Sequence, residues 1–385
     1  MEEKSGKVQF SMCHFRNKQN MLIRTYSATV PNAKGNIVLV HGNCCHFRAE
    51  FAAYNIKWYM QQYGIGTPNV KDVVRQEKKA VYPRSHHFQY NDPDAKFPDA
   101  TLLDGKNMFD ISPRFVYEGS FIEKLNKLGY NVYGLDHQSH GLSEGLKGRR
   151  NFFGTIEDLV DDVIQFIDIV KRGKFDNTKQ TPRDSTLDAP STVGKVILCG
   201  ISMGGNIVLR VAQKTSAYNK DGHMFIDGLI AFAPMTDLSD YTSTLCMRML
   251  FGFSRVVALI KPSATLGVKS DDMPRTFNKF LRVQDPHYYV GPQCYRVIVN
   301  LFNATNVLRK NHDKFPANLQ TLIMHATDDD VCNIRGTYDI VNNHLKKHKY
   351  LQFVEMEGNA HCMTSSIYVD SVMPYVEKWL QKLEA

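Results

Sequence analysis

The sequence has no run of the roughly 18 apolar residues that a membrane-spanning helix needs. The first seven residues are polar and lack the apolar core of a secretory signal peptide. Eight cysteines are present, but they are scattered and none have the spacing of zinc ligands or of a C-x-x-C redox motif. The two that lie close in sequence, Cys44 and Cys45, are adjacent. These features predict a cytoplasmic protein with reduced thiols and no metal site.

Clustered positive charge is also missing. The chain carries 47 Lys and Arg against 39 Asp and Glu, a net charge of +8, but the basic residues are dispersed. A chain without a dense basic run is predicted to have no nucleic-acid partner. The net charge leaves open a transient contact with anionic lipid surfaces, and hence a peripheral location at membranes. Nothing in the sequence indicates the oligomeric state.

The composition, 43% hydrophobic and 22% charged, is typical of a globular protein and excludes a disordered chain. Strand-like and helix-like segments alternate along most of its length, which is the pattern of an α/β fold. Strands joined by crossover helices predict a mostly parallel sheet with functional loops at the carboxyl ends of its strands. The predicted strands are 21–30, 36–40, 131–135, 195–199, 228–233, 319–324 and 351–355. The predicted helices are 121–128, 155–170, one after Ser202, 334–345 and 366–383.

Three segments interrupt this alternation. Residues 63–113 and 171–192 are polar, and both are predicted to be surface insertions. Residues 238–315 are helix-rich and lie between two strands. We therefore predict a core built from residues 1–237 and 316–385, with residues 238–315, termed the cap segment below, inserted as a helical cap or lid.

The most informative motif is a G-x-S-x-G, Gly200 to Gly204, between an apolar strand and a helix. In that context the central Ser202 stands clear of its own backbone on a sharp turn, and the glycines keep side chains out of it. The turn aims the backbone N–H of Met203 at the space beside the serine oxygen, where the helix N-terminus adds positive potential. The motif predicts a nucleophile with half of an oxyanion hole; an ordinary turn serine is the alternative.

A serine nucleophile needs a base to take its proton and an acid to orient that base. His361 follows the strand at 351–355 by a short loop, which places it at the same sheet edge as Ser202. The acid is expected just past the preceding strand, where Asp328, Asp329 and Asp330 follow each other. Three adjacent carboxylates cannot all point inward, because burying two of them would bring strong repulsion. One of them is therefore predicted to be the acid, with Asp237 as the competing candidate.

A second oxyanion donor is expected after the strand that ends at Val40. There the chain reads His41-Gly42-Asn43, and the flexible Gly42 allows the backbone N–H of Asn43 to face the nucleophile. A plain strand-to-loop turn is the alternative interpretation of this pair.

Taken together, these motifs resemble the monoacylglycerol lipase and lysophospholipase-like group of α/β-hydrolases, in particular its malaria-parasite lysophospholipase branch. The resemblance runs from about residue 20 to the C-terminus and leaves the two polar insertions unmatched. It implies an α/β-hydrolase fold, with a mostly parallel central sheet flanked by helices and a helical lid between late strands. The matching residues are 22–27, 39–42 with His46, 130–136, 140–145, 200–205, Asp285-Pro286, Asp328-Asp329 and 357–361.

Carried over to this chain, the resemblance implies Ser202 as nucleophile, Asp329 as acid and His361 as base. It also implies Asn43 and Met203 as oxyanion donors. The chain departs from the family pattern at two positions. Ser139 stands where a glycine is usual, and Asn43 replaces a small or apolar residue, so that its side chain is expected to narrow the acyl pocket.

Residues 247–260 of the cap segment are apolar on almost all sides of a helix. One interpretation is that this helix packs on the core. The other is that Met247, Leu250, Phe251 and Phe253 line an acyl-chain tunnel and contact membranes transiently.

The predicted function is a serine hydrolase that cleaves carboxylic esters of single-acyl lipids, either lysophospholipids or monoacylglycerols, through an acyl-enzyme and without a cofactor. The alternative within enzymes is a broad-specificity carboxylesterase for short or medium acyl esters. A catalytically silent α/β-hydrolase that binds lipids or partners is the alternative from another class. The substrate itself is set by the cap segment and the insertions, which fold-level likeness does not resolve.

Overall fold

The computed structural model describes residues 7–63, 100–175, 193–219, 223–266, 277–358 and 360–384. Its strands are β1 (Gln9–Arg16), β2 (Leu22–Thr29), β3 (Gly35–Val40), β4 (Ala53–Tyr54), β5 (Phe115–Val116), β6 (Tyr130–Leu135), β7 (Val196–Ile201), β8 (Gly228–Phe232), β9 (Gln320–Ala326) and β10 (Leu351–Met356). Eight of these form one sheet in the order β1-β2-β6-β3-β7-β8-β9-β10, while β4 and β5 form a separate antiparallel pair.

The sheet is antiparallel at one end and parallel elsewhere. β1 pairs antiparallel with β2, and β2 pairs antiparallel with β6. From β6 to β10 every neighbouring pair is parallel. Every residue of β3, β7 and β8 is buried, as expected for parallel strands that are covered on both faces.

The register of the parallel strands determines where the loops begin. Val40 at the end of β3 lies opposite Gly200 of β7, and Ile201 lies opposite Phe232 of β8. On the far side of β8, Phe232 pairs with Met324 of β9. The loops that leave the carboxyl ends of these strands therefore start at one edge of the sheet, which is where side chains from distant parts of the chain meet.

Helices cover both faces of the sheet. Helices Ile156–Lys171, Met203–Thr215 and Tyr295–Lys310 contribute to one hydrophobic core, and helices Phe121–Lys127 and Val369–Glu384 contribute to the other. The remaining helices are Phe47–Phe51, Ile56–Tyr63, Leu245–Ile260, Phe277–Val283 and Ile334–Asp339. Ile156–Lys171 begins with a capping box, in which Thr155 and Asp158 exchange side-chain-to-backbone hydrogen bonds.

The structure confirms the predicted α/β architecture and corrects some of its details. The predicted strands and helices are all present, with ends shifted by a few residues. The predicted helix 334–345 is α-helical as far as Asp339 and continues as a π-helical turn, Ile340–His344. Strand β1 was not predicted. Its residues alternate incompletely between buried and exposed because it is an edge strand, so the sequence carries only a weak period of two.

Two predicted insertions fall largely outside the described residues, since residues 64–99 and 176–192 are not among them. In the cap segment the described residues are mainly helical, comprising helices Leu245–Ile260, Phe277–Val283 and Tyr295–Lys310. The division into core and cap stays a prediction. Within the described ranges, the helices are too short or too polar to cross a membrane.

One buried carboxyl group predicts how stability depends on pH. Asp162 is 2% exposed and accepts hydrogen bonds from two amides, Asn17 Nδ2 at 3.2 Å and Gln138 Nε2 at 2.9 Å. Burial raises the pKa of Asp162 to about 7, and the two amide hydrogen bonds offset part of this rise. In the unfolded chain this pKa is about 3.9, so stability is lost as the pH rises from about 4 through 7.

We therefore expect Asp162→Asn to raise the melting temperature, by more at pH 8 than at pH 5, because the amide carries no charge to desolvate. Thermal unfolding of both proteins across this pH range measures the difference. The exposed Asp110→Asn serves as the control and should leave the difference near zero at every pH. An Asp162→Asn effect that does not vary with pH would contradict the explanation.

Candidate active site

Ser202 lies between the end of β7 and the helix that begins at Met203, and its backbone is strained. Its φ is 58° and its ψ is −121°, a region that non-glycine residues rarely occupy. The Ser202 N–H donates to the Phe232 carbonyl at 3.0 Å, and the Ser202 carbonyl accepts from the Met235 and Asn206 N–H groups at 3.0 and 3.1 Å. The end of β8 thus holds the turn in a conformation that it would not keep by itself.

The loop after β3 packs directly on this turn. A Cβ atom added at Gly42 would lie 3.5 Å from Ser202 Oγ, and one added at Gly204 would clash with the Val40 carbonyl oxygen. Gly42 precedes Asn43, and Met203 follows Ser202. Of the two predicted oxyanion donors, Met203 therefore adjoins the serine in sequence, and Asn43 follows a glycine that lies close to it.

The structure selects one of the three consecutive aspartates. Asp329 is buried, whereas Asp328 and Asp330 are exposed. Asp329 Oδ2 accepts a hydrogen bond from His361 Nδ1 at 2.7 Å. Because a carboxylate only accepts, the His361 proton is on Nδ1, and Nε2 is left as the basic nitrogen.

The Asp329 carboxylate is held ionised by its neighbours. Burial by itself would raise its pKa, but hydrogen bonds from His325, His361 and the backbone N–H of Cys332 more than offset burial and hold the pKa well below its usual range. Asp329 Oδ1 accepts from the N–H groups of Val331 and Cys332 at 2.8 and 2.9 Å. A negative charge is thus fixed beside the His361 ring.

The competing carboxylate is engaged elsewhere. Asp237 accepts hydrogen bonds from the Ser239 N–H and hydroxyl at 2.9 and 2.8 Å and pairs with Arg309 at 3.3 Å. Asp237 immediately precedes the cap segment, and its carboxylate is bound to an arginine instead of a histidine.

Cys332 connects Ser202 to Asp329. Cys332 Sγ lies 3.9 Å from Ser202 Oγ, and the Cys332 N–H donates to Asp329. Through Cys332 and the Asp329–His361 hydrogen bond, the structure brings Ser202, Asp329 and His361 into one site. Their catalytic roles remain proposals.

His325 at the end of β9 was not predicted to have a role. Its Nε2 lies 2.7 Å from the Cys332 carbonyl and 3.3 Å from Asp329 Oδ2, so the Nε2 proton is shared between two acceptors. Its Nδ1 accepts from the Thr337 hydroxyl at 2.8 Å. His325 therefore holds the turn that carries the acid. The available signal was a histidine in a buried strand, four residues before Asp329.

The two departures from the family pattern have structural counterparts. Ser139 has a φ of 67°, so this serine adopts the left-handed conformation that a glycine would take more easily. Asn43 Oδ1 lies 3.3 Å from His140 Nε2, so the Asn43 side chain contacts a buried histidine. That Asn43 narrows an acyl pocket stays a prediction.

The helix Leu245–Ile260, termed the cap helix, packs on the helix Tyr295–Lys310 through Phe251 and leaves most of its other side chains exposed. Among its side chains only Ser254 is buried. Of the four predicted tunnel residues, Met247, Leu250 and Phe253 are exposed, while Phe251 packs on Phe302 with ring centroids 4.3 Å apart. Their role in binding an acyl chain stays a prediction.

Across the ranges that the structure describes, no three His, Cys, Asp or Glu side chains are grouped so as to hold a metal ion.

The sheet order and the strained serine between β7 and its following helix define the α/β-hydrolase fold. The sequence matches the Hydrolase_4 family, described as serine aminopeptidase S33, over residues 115–365. The match spans well over half of the chain and includes Ser202, Asp329 and His361. The chain therefore belongs to this family, and the predicted superfamily and the predicted class of carboxylic ester hydrolase are confirmed. Its place in the malaria-parasite branch stays a prediction.

Individual relatives are distant. The chain is 24% identical to a monoglyceride lipase homolog of Monkeypox virus over 261 residues, which are 67% of this chain and 82% of the relative. Among solved structures, a monoacylglycerol lipase of Paleococcus ferrophilus is 16% identical with a TM-score of 0.53, covering 98% of this chain and 100% of the relative. A soluble variant of monoglyceride lipase from Saccharomyces cerevisiae is 14% identical with a TM-score of 0.58, covering 99% and 96%. At these identities the solved structures support the fold alone.

Proposed function

We propose that the chain hydrolyses carboxylic esters of single-acyl lipids, a lysophospholipid or a monoacylglycerol, through an acyl-enzyme on Ser202. The observation that carries the proposal is the Asp329–His361 hydrogen bond of 2.7 Å, joined through Cys332 to a strained, glycine-lined serine. A histidine with an oriented lone pair and a serine on such a turn are the groups that acyl transfer requires.

In this mechanism Ser202 Oγ attacks the ester carbonyl carbon while His361 Nε2 takes the hydroxyl proton. The Asp329 carboxylate stabilises the resulting imidazolium. The backbone N–H groups of Met203 and Asn43 donate to the oxyanion, and each such donor is worth about 10²–10³ in rate. His361 then protonates the leaving alcohol, and water releases the acid by the same steps in the second half-reaction.

A single-acyl lipid is the substrate that we propose for this site. It is supported by the likeness to proteins that are named as monoglyceride lipases and by the apolar surface of the cap helix. A glycerol or phosphoglycerol ester with one acyl chain presents a single carbonyl and one long apolar tail. Such a substrate suits a protein that combines one serine nucleophile with an exposed apolar helix.

We expect Ser202→Ala to lower kcat by about 10⁶ and to abolish labelling by a fluorophosphonate probe, because no other group replaces the nucleophile. Turnover is measured on lysophosphatidylcholine, monoacylglycerols and p-nitrophenyl esters of increasing acyl length. Undiminished turnover by the pure variant would contradict the mechanism. Wild-type activity confined to short esters would identify a broad carboxylesterase, and absence of labelling and turnover in wild type would indicate a silent hydrolase.

The two candidate acids can be separated by matched variants. We expect Asp329→Asn to lower kcat by about 10⁴, because an amide donates to His361 Nδ1, favours the wrong tautomer and cannot stabilise the imidazolium. Asp237→Asn should change kcat by no more than about twofold, since Asp237 is bound to Arg309. Ester turnover of both purified variants is the measurement, and equal losses would remove Asp329 from its proposed role.

We also propose that the cap helix contacts lipid surfaces transiently. Its exposed apolar residues are Leu245, Met247, Met249, Leu250, Phe253, Val256, Leu259 and Ile260, with Leu259 85% and Ile260 80% exposed. The basic residues Arg248, Arg255 and Lys261 are exposed on the same helix and at its end. An exposed apolar surface bordered by positive charge is suited to an anionic membrane interface.

We expect the double variant Val256→Asp and Leu259→Asp to lose at least tenfold in affinity for vesicles that contain phosphatidylserine, measured by flotation. Its turnover of a soluble p-nitrophenyl ester should be unchanged. Leu102→Asp removes a leucine outside the cap segment whose exposure, 67%, lies between those of Val256 and Leu259, and this variant should bind vesicles as the wild type does. Equal losses in both proteins would indicate a general charge effect instead of a specific lipid-facing surface.

A further inference from the structure

A second buried histidine–carboxylate pair lies near the proposed oxyanion hole. His46 Nε2 lies 2.6 Å from Asp285 Oδ2, and the two side chains are 0% and 1% exposed. His46 ends the loop of residues 41–46, which contains Asn43, while Asp285 belongs to the cap segment. The pair therefore joins two parts of the chain that are 239 residues apart.

The direction of this hydrogen bond is fixed by the neighbours of the pair. The Ala49 N–H donates to His46 Nδ1 at 3.5 Å, so His46 carries its proton on Nε2 and donates it to Asp285. Burial would raise the pKa of Asp285, but His46 and the His287 N–H more than offset it and hold the pKa below the usual range. The carboxylate is thus ionised, and hydrogen bonds from His46 and His287 offset the free-energy cost of burying its charge.

The cap segment also forms hydrogen bonds with the 41–46 loop at a second position, Cys44. The Cys44 carbonyl accepts from the Tyr289 N–H at 2.9 Å, and Cys44 Sγ accepts from Gln293 Nε2 at 2.9 Å. Gln293 is itself held, because its Oε1 accepts from Asn151 Nδ2 at 2.8 Å. Cys44 has a φ of 63°, a conformation that such contacts help to maintain.

Asn43 therefore lies between two fixed points. On one side Gly42 is so close to Ser202 that an added Cβ atom would lie 3.2 Å from the serine Cβ, and on the other side Cys44 and His46 are bound to residues 285–293. A backbone donor stabilises an oxyanion only when it is aligned before the charge develops, and displacements of about 0.5 Å weaken it.

We infer that the His46–Asp285 pair is a positioning device that aligns the Asn43 N–H in the oxyanion hole, so that residues 285–293 of the cap segment act in catalysis through the 41–46 loop. This inference rests on the proposed serine hydrolase function. Neither His46 nor Asp285 contacts the reacting atoms in this account. Their contribution is to the geometry of the transition state and not to substrate binding.

The test compares Asp285→Asn with Asn126→Ala, a control far from the site. Asn126 is also buried, and its amide donates to the carbonyls of Ala28 and Tyr130 at the opposite edge of the sheet. For each variant, kcat and KM for a p-nitrophenyl ester, the melting temperature and the affinity for a trifluoromethyl ketone are measured. The ketone forms a tetrahedral adduct on Ser202 whose oxyanion occupies the hole.

We expect Asp285→Asn to lower kcat by 10- to 100-fold with KM changed by less than about threefold, and to weaken ketone binding by the same factor as kcat/KM. His46→Gln retains a side-chain N–H donor and should recover part of the kcat that His46→Ala loses. Asn126→Ala should lower the melting temperature while leaving kcat and ketone affinity unchanged.

Several results would overturn the inference. One is an Asp285→Asn protein that melts earlier but keeps wild-type kcat and ketone affinity, which would make the pair merely structural. If Asp285→Asn does not fold, Gln293→Ala carries the same comparison, and unchanged kcat and ketone affinity there would count against the inference. Failure of the proposed function looks different: wild-type turnover would then be absent or would survive Ser202→Ala.

Discussion

The site depends on the buried, ionised carboxylate of Asp329. It accepts hydrogen bonds from the His361 ring, the His325 ring and the N–H groups of Val331 and Cys332. A carboxylate in a dry environment is costly unless its oxygens are satisfied, so each of these donors is needed for the charge to exist there. The turn after β9, the strand that supports it and the orientation of His361 are all arranged around this one group.

The sequence allowed Ser202 and His361 to be predicted because each follows a strand whose apolar residues mark it clearly, and parallel strands bring their carboxyl ends to one edge. The residues by themselves left three adjacent aspartates open, because which one turns inward depends on donors supplied by the folded turn, and only the family resemblance singled out Asp329. The roles of His325 and of the His46–Asp285 contact were missed for the same reason. Each is a relation between buried side chains that is absent from any local pattern.

The cap segment combines two different physical behaviours. Residues 285–293 are held against the core by buried polar contacts to Cys44 and His46, and they are predicted by this geometry to move little. The cap helix, by contrast, buries only Ser254 and leaves a broad apolar surface in solvent. A single inserted segment thus supplies rigidity next to the proposed oxyanion hole and an adaptable apolar surface further out.

The parts of the proposed site are spread over the chain, from the loop at 41–46 to His361. The strained turn at Ser202 is held by the Phe232 carbonyl and by the Met235 N–H, so it needs β8 in place as well as β7. In the proposed mechanism, a chain that has been translated only as far as β9 contains the nucleophile but lacks the base. Ester cleavage by that mechanism therefore begins only after the segment with His361 has been made and β10 has paired with β9.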